Sequence, residues 1–320
     1  MDDKNEKMTT FKKWMISIRP FALPASTMPV IFGTFLAVFY GGYSFKPGLF
    51  LLAFFAMVIL HSGANLLNDV ADFKKGLDTI PSPVSGGVVK GILSTREALI
   101  AAILLLSVGT VIGLILVWLT GPLLLVIGIL GVLVGVFYTV GGKLTLKYHA
   151  LGDLSVFLNF GILGSLGAWF VQSGTFSWIP VIWAVPMATL VIAILHANNW
   201  RDIEGDKKQN IFTIASLLGD KKSLVYYALL IFAPFFIIIG LVFLPRIIIG
   251  EIPALPFTFL ITILSFPIAL KLWAKALSRK TPKSPLDFVA LDGATAQLNL
   301  VFGLLCTVAL FLDAGIGLWF

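Results

Sequence analysis

Long apolar runs, parted by short polar stretches, dominate the chain. Nine of them approach the roughly 20 apolar residues a helix needs to cross a bilayer. They lie at 22–43, 47–68, 97–118, 121–140, 151–172, 177–199, 223–244, 253–274 and 295–318. Apolar residues fill each run instead of alternating, which predicts membrane helices and not the strands of a barrel. The expected fold class is all-α: one polytopic membrane domain over 1–320, with about nine transmembrane helices after a polar segment at 1–20. No linker or low-complexity stretch divides it.

The polar residues between the runs are unevenly placed. The longest segments, 69–96, 200–222 and 275–293, follow the second, sixth and eighth runs and therefore share one side. With the N-terminus in the cytoplasm, that side carries 21 of the 23 Lys and Arg residues, and only Lys46 and Arg246 fall opposite. Composition changes the picture little: 58% hydrophobic, 12% charged and a mean hydropathy of +0.98 leave too little polar surface for a globule in water. The net charge of +7 follows from topology and does not indicate nucleic acid. One cysteine, Cys306, excludes an intrachain disulfide and reads as a packed hydrophobe. The N-terminal segment has no cleavable apolar core, so the first run is expected to act as its own insertion signal. The expected location is a cell membrane, plasma or inner, with the chemistry facing the cytoplasm.

The acids cluster as sharply as the bases. Ala64-Asn65 with Asp69 ends the second run, and Ala197-Asn198 with Asp202 ends the sixth. Asn65, Asp69 and Asp72 are spaced i, i+4, i+7, so they share a helix face; Asn198, Asp202 and Asp206 share one if their helix continues. Two helix ends thus each offer an amide oxygen and two carboxylates. Oxygen-only donors suit a hard cation, and Mg²⁺ binds through a few carboxylates plus substrate phosphate and water. Lys74, Lys75, Lys143 and Lys147 stand nearby to meet remaining phosphate charge. Simple capping of helix ends is the plainer account of such residues, and two matched clusters on one side weigh against it.

Other polar residues are less telling. His61 and His196 read as packing residues inside the bundle, with proton transfer as the alternative; Asp153 suits a helix N-terminus. A cation-coupled transporter would carry its acids in broken helices near the midplane. A phosphatidyltransferase would carry D-G-x-x-A-R, of which Asp292-Gly293-Ala294 is only the beginning.

The segments NDVADFKKGLD (68–78) and NNWRDIEGD (198–206), with FYT (137–139) and LGD (151–153) between them, resemble the UbiA superfamily of intramembrane prenyltransferases. The resemblance implies a nine-helix fold and transfer of a polyprenyl group from its diphosphate to an aromatic acceptor. It implies Mg²⁺ held by Asn65, Asp69, Asp72, Asn198, Asp202 and Asp206, the four aspartates being catalytic. It implies substrate contacts from Arg19, Asn68, Lys74, Tyr138, Lys143, Lys147, Asp153 and Arg201. RPFALPAS (19–26), DFKKGLDT (72–79) and LDGATAQLNLVFGLL (291–305) are similar to the 1,4-dihydroxy-2-naphthoate branch of menaquinone synthesis. The stretch 79–91 carries no arginine, where the resemblance leads one to expect a diphosphate contact. Other acceptors remain open: 4-hydroxybenzoate, protohaem, a glycerol-phosphate lipid or a chlorophyllide.

Overall fold

The computed structural model describes residues 8–76, 85–247, 253–284 and 286–317, and each of the nine apolar runs falls on helix. An amphipathic helix, α1 (Thr10–Ile18), opens on Thr9, whose hydroxyl accepts from the Lys12 amide at 3.3 Å. It stops at Arg19, a non-glycine residue at φ 54°. A tight turn Pro20–Ala22 leads into α2 (Pro24–Phe39), bent by 59° from the preceding helix. Pro20 and Pro24 lack the amide hydrogens a continuous helix would need here, which fixes the bend.

The remaining helices follow in order. They are α3 (Pro47–Lys74), α4 (Thr95–Thr120), α5 (Leu123–Thr139) and α6 (Gly152–Ser173). A Ser94–Glu97 capping box starts α4. Then come α7 (Val185–Arg201), α8 (Ile203–Lys208), α9 (Ile214–Ile247), α10 (Phe257–Leu277) and α11 (Leu291–Gly317). Among the described residues, α3, α4, α6, α9, α10 and α11 are long and apolar enough to cross a membrane. The bent pair ending in α2 makes a seventh, and α5 is apolar but shorter.

Two runs depart from the expected boundaries. The run 177–199 is carried by a short helix, Ile179–Trp183, and by α7, because Pro186 supplies no amide for the Ile182 carbonyl. Helix α9 begins at Ile214, ahead of its run at 223, since a first turn joins it across Gly219 at φ 68°, ψ 173°.

Helices α2, α7 and α11 pack together at the centre, where Phe32, Leu36, Met187, Leu190, Leu298 and Phe302 are buried. Backbones approach closely there: a Cβ on Gly33 of α2 would lie 2.2 Å from the Ser165 carbonyl oxygen of α6. Helix α4 instead turns Ile103, Leu104, Val111, Leu114 and an 84% exposed Trp118 outward. Such a surface aggregates in water and is satisfied in lipid.

Candidate functional site

The first acid motif lies on the last turns of α3. Asp72 accepts from Lys147 Nζ at 2.6 Å and from the Tyr148 hydroxyl at 3.2 Å. Asn68 Oδ1 accepts from the same Nζ at 3.3 Å and from the Thr139 hydroxyl. Lys147 therefore joins both oxygens, with the rings of Tyr148 and Tyr138 at 5.4 and 5.9 Å. Burial and the Asp72 carboxylate push the Tyr148 phenol above its ordinary range, so it stays a donor.

Asn65 and Asp69 do not join this cluster. The Asn65 amide donates to the Ile18 carbonyl at 2.9 Å and so ties down the end of α1. Asp69, 8% exposed, accepts from the Val88 amide at 2.7 Å. At 3.6 residues per turn, Asp69 sits about 60° around the helix from Asp72, while Asn68 sits on the Asp72 side. That difference within one shared face sends Asp69 to the 85–93 turn and leaves Asp72 at the mouth. Gly86 lies against Asp69 so closely that a Cβ would meet its carboxyl oxygen at 2.3 Å. Gly86→Ala should therefore cost about 1–3 kcal/mol and lower the unfolding midpoint in detergent; an unchanged midpoint would show the turn is free to shift.

The second motif is organised by one arginine. Arg201, on the last turn of α7, grips Asp202 with Nε at 3.0 Å and Nη2 at 2.9 Å. Nη2 also donates to Asn198 Oδ1 at 2.6 Å, and Nη1 to the Val289 carbonyl at 2.9 Å. The helix does not run unbroken to Asp206: α7 ends and α8 begins at Asp202, yet the Asp206 amide still bonds the Asp202 carbonyl at 3.0 Å. Asp206 accepts from the Thr213 hydroxyl at 3.2 Å. Burial pushes its carboxyl up to about 7, and the negative charges of Asp202 and Asp72 add to the effect.

The two motifs thus lie within each other's field. The segments flanking them are joined as well: the Phe212 amide donates to the Tyr148 carbonyl at 3.1 Å, and the Gln209 side-chain Nε2 to the Gly76 carbonyl at 3.3 Å. Among the described residues, no three Asp, Glu, His or Cys side chains cage an ion unaided. The oxygen donors fit a hard cation that completes its shell with water and phosphate.

The other expected contacts are scattered around this mouth. Arg19 reaches Asp292 at 3.6 Å, and its buried Nε has no hydrogen-bond partner. Tyr226 donates to Asp153 at 3.2 Å, while the other Asp153 oxygen is buried without a partner. Lys74 is exposed at the end of α3. The Lys143 side chain, Asp78 and positions 79–84 lie outside the described residues. His61 bonds Ser26 at 2.7 Å, and His196 packs edge-on to Tyr226. Thr139, Tyr148 and Asp292 were given no role from the sequence, although FYT (137–139) and LDGATAQLNLVFGLL (291–305) contain two of them. A groove of about 630 Å³, lined by the neighbours Pro20 and Gly293, opens beside Arg19 and Asp292, between the start of α2, the end of α10 and the start of α11.

Comparison with known proteins agrees with this architecture. A family described as the UbiA prenyltransferase family matches residues 26–301. The UbiA prenyltransferase domain-containing protein 1 of Mus musculus is 34% identical over 295 residues, covering 91% of this chain and 81% of that protein. The 1,4-dihydroxy-2-naphthoate octaprenyltransferase of Bacillus subtilis (strain 168) is 31% identical, covering 94% and 92%. The fold is shared with an apo UbiA homolog from Aeropyrum pernix K1, at TM-score 0.65, 18% identity, and coverage of 90% and 97%. It is also shared with a UbiA homolog from Archaeoglobus fulgidus bound to GPP and Mg²⁺, at TM-score 0.55, 14% identity, and coverage of 92% and 99%.

Proposed function

Because this chain belongs to the UbiA prenyltransferase family, we propose that it moves a polyprenyl group from its diphosphate onto 1,4-dihydroxy-2-naphthoate at the cytoplasmic face of a cell membrane. The observation that carries this reading is the meeting of the two acid motifs, with Lys147 on Asp72 and Asp206 in the field of both. The naphthoate acceptor is favoured by the Bacillus relative, and Mg²⁺ by the donor chemistry and the ion in the Archaeoglobus homolog.

Asp72, Asp202 and Asp206, with the amide oxygens of Asn68 and Asn198, would hold Mg²⁺; Asp69 and Asn65 act by fixing the neighbouring segments. When bound, Mg²⁺ neutralises charge on the leaving diphosphate. Lys147 turns from Asp72 to a phosphate oxygen, and the Tyr148 hydroxyl moves with it. Tyr138, whose ring edge lies 3.7 Å from a Cβ built on Gly152, forms the wall beside Asp153. The allylic C–O bond breaks and its electron pair leaves with the diphosphate. A ring carbon of the acceptor then forms the new C–C bond, and loss of CO₂ returns a pair to the ring. Arg19, with a buried donor unused, takes the acceptor carboxylate, and the groove beside it admits the apolar ring.

Purified protein in detergent, given Mg²⁺ and a radiolabelled polyprenyl diphosphate, tests this directly. Product from 1,4-dihydroxy-2-naphthoate and not from 4-hydroxybenzoate, abolished by EDTA, is the expected result. Product from the benzoate alone would discard the acceptor and keep the reaction class.

A further inference from the structure

Asp292 stands on the first turn of α11, 2% exposed. Its Oδ1 accepts from the Gly293 amide at 2.8 Å. Its Oδ2 faces two guanidinium groups, Arg201 Nη1 at 3.5 Å and Arg19 Nη2 at 3.6 Å. Both distances are long beside the roughly 2.7–2.9 Å of an optimal charge-assisted bond, so one oxygen is shared between two cations. A carboxylate buried this deeply must be paired. Here it is paired with two arginines that lie 182 positions apart in the chain.

Arg201 stands between two carboxylates. On the mouth side it covers both oxygens of Asp202 and the Asn198 amide oxygen. On the bundle side it reaches Asp292 and the Val289 carbonyl. If Asn198 and Asp202 turn to a metal–diphosphate, as the prenyl-transfer reading requires, only the bundle side is left to hold the arginine. We propose that Asp292 is a positioning residue for the transfer reaction. It retains Arg201 against the last helix when the second motif engages the diphosphate, and it holds Arg19 towards the acceptor. One buried carboxylate thereby links the two substrate halves.

Asp292→Asn removes the charge and keeps the shape. Arg201 is then left with Asp202 as its carboxylate partner and competes with Mg²⁺ for those oxygens. Mg²⁺-dependent binding of geranyl diphosphate to the detergent-solubilised full chain, read calorimetrically without acceptor, should weaken about tenfold. The acceptor KM should rise by a similar factor, with kcat at saturation nearly kept. In an Arg201→Gln background the same substitution should leave diphosphate affinity where Arg201→Gln has set it, because the residue acted through is gone. A lowered unfolding temperature with both affinities unchanged would make Asp292 merely structural and overturn the proposal. A fully additive loss of affinity in the double variant would overturn it too. If Asp292→Asn alone does not fold, the Asp292→Asn/Arg201→Gln pair, which removes both charges, decides by the same comparison with Arg201→Gln. A wild-type chain that binds no diphosphate overturns the prenyl-transfer reading itself, and shows this before any variant is measured.

Discussion

Asp72→Asn and Asp202→Asn should each lower turnover at least about a hundredfold, equivalent to about 2.7 kcal/mol of transition-state stabilisation. The folded protein should survive both changes. Asparagine at 72 still offers an oxygen to Lys147 and Tyr148, and asparagine at 202 still offers one to Arg201. What is lost is charge at the mouth, and charge is what a metal–diphosphate needs. Asp69→Asn serves as the contrast, since an amide oxygen can go on accepting from the Val88 amide. Its loss of activity should be smaller, and it should follow any loss of thermal stability. Initial rates at saturating Mg²⁺ and substrates, with unfolding midpoints in the same detergent, decide the matter. Full activity in Asp72→Asn or Asp202→Asn would remove that residue from the metal site.

The largest effect on stability is expected at Gly33. There α2 lies so close to α6 that a Cβ would sit 2.2 Å from the Ser165 carbonyl oxygen and 2.9 Å from its carbonyl carbon. Backbone cannot step aside as a side-chain end can. Gly33→Val therefore forces α2 away from α6, and with it the Phe32 and Leu36 packing at the centre. The cost should reach about 3 kcal/mol, seen as a sharply lower unfolding temperature or failure to accumulate. Gly113 in α4 is the control, because nothing lies within 4 Å of its added Cβ. Gly113→Ala should be neutral or raise helix stability by up to about 1 kcal/mol. Equal behaviour of the two variants would mean that the contact between α2 and α6 is not close.

Much of this was legible in the sequence because membrane helices and helix faces have simple periods. The apolar runs carried the helices, and the i, i+4 spacing carried Asn198 and Asp202 to the mouth together. A period says nothing of what stands opposite. Asn65 shares a face with Asp72, yet its amide is taken by Ile18, 47 positions away. Asn198 and Asp202 were read as open ligands, whereas a neighbour in their own motif, Arg201, covers them. The role of Asp292 was hidden for the same reason: its partners, Arg19 and Arg201, come from distant parts of the chain, so its place in LDGATAQ could not show what it pairs with. The break at Ala184 could have been read more closely, since Pro180 and Pro186 frame it in the chain.

The Lys147–Asp72 pair has a consequence for how the site is filled. Asp72 and Asp202 carry their own counter-ions, Lys147 and Arg201, while Asp206 has the Thr213 hydroxyl, so two of the three acids at the mouth are already paired. On the proposed reading, substrate association would be an exchange of ions: Lys147 would leave the Asp72 carboxylate for a phosphate, and that carboxylate would be free for a metal. An exchange creates about as many opposite-charge contacts as it breaks. Selectivity would then rest on the shape of the phosphate group and the number of oxygens around it as well as on charge.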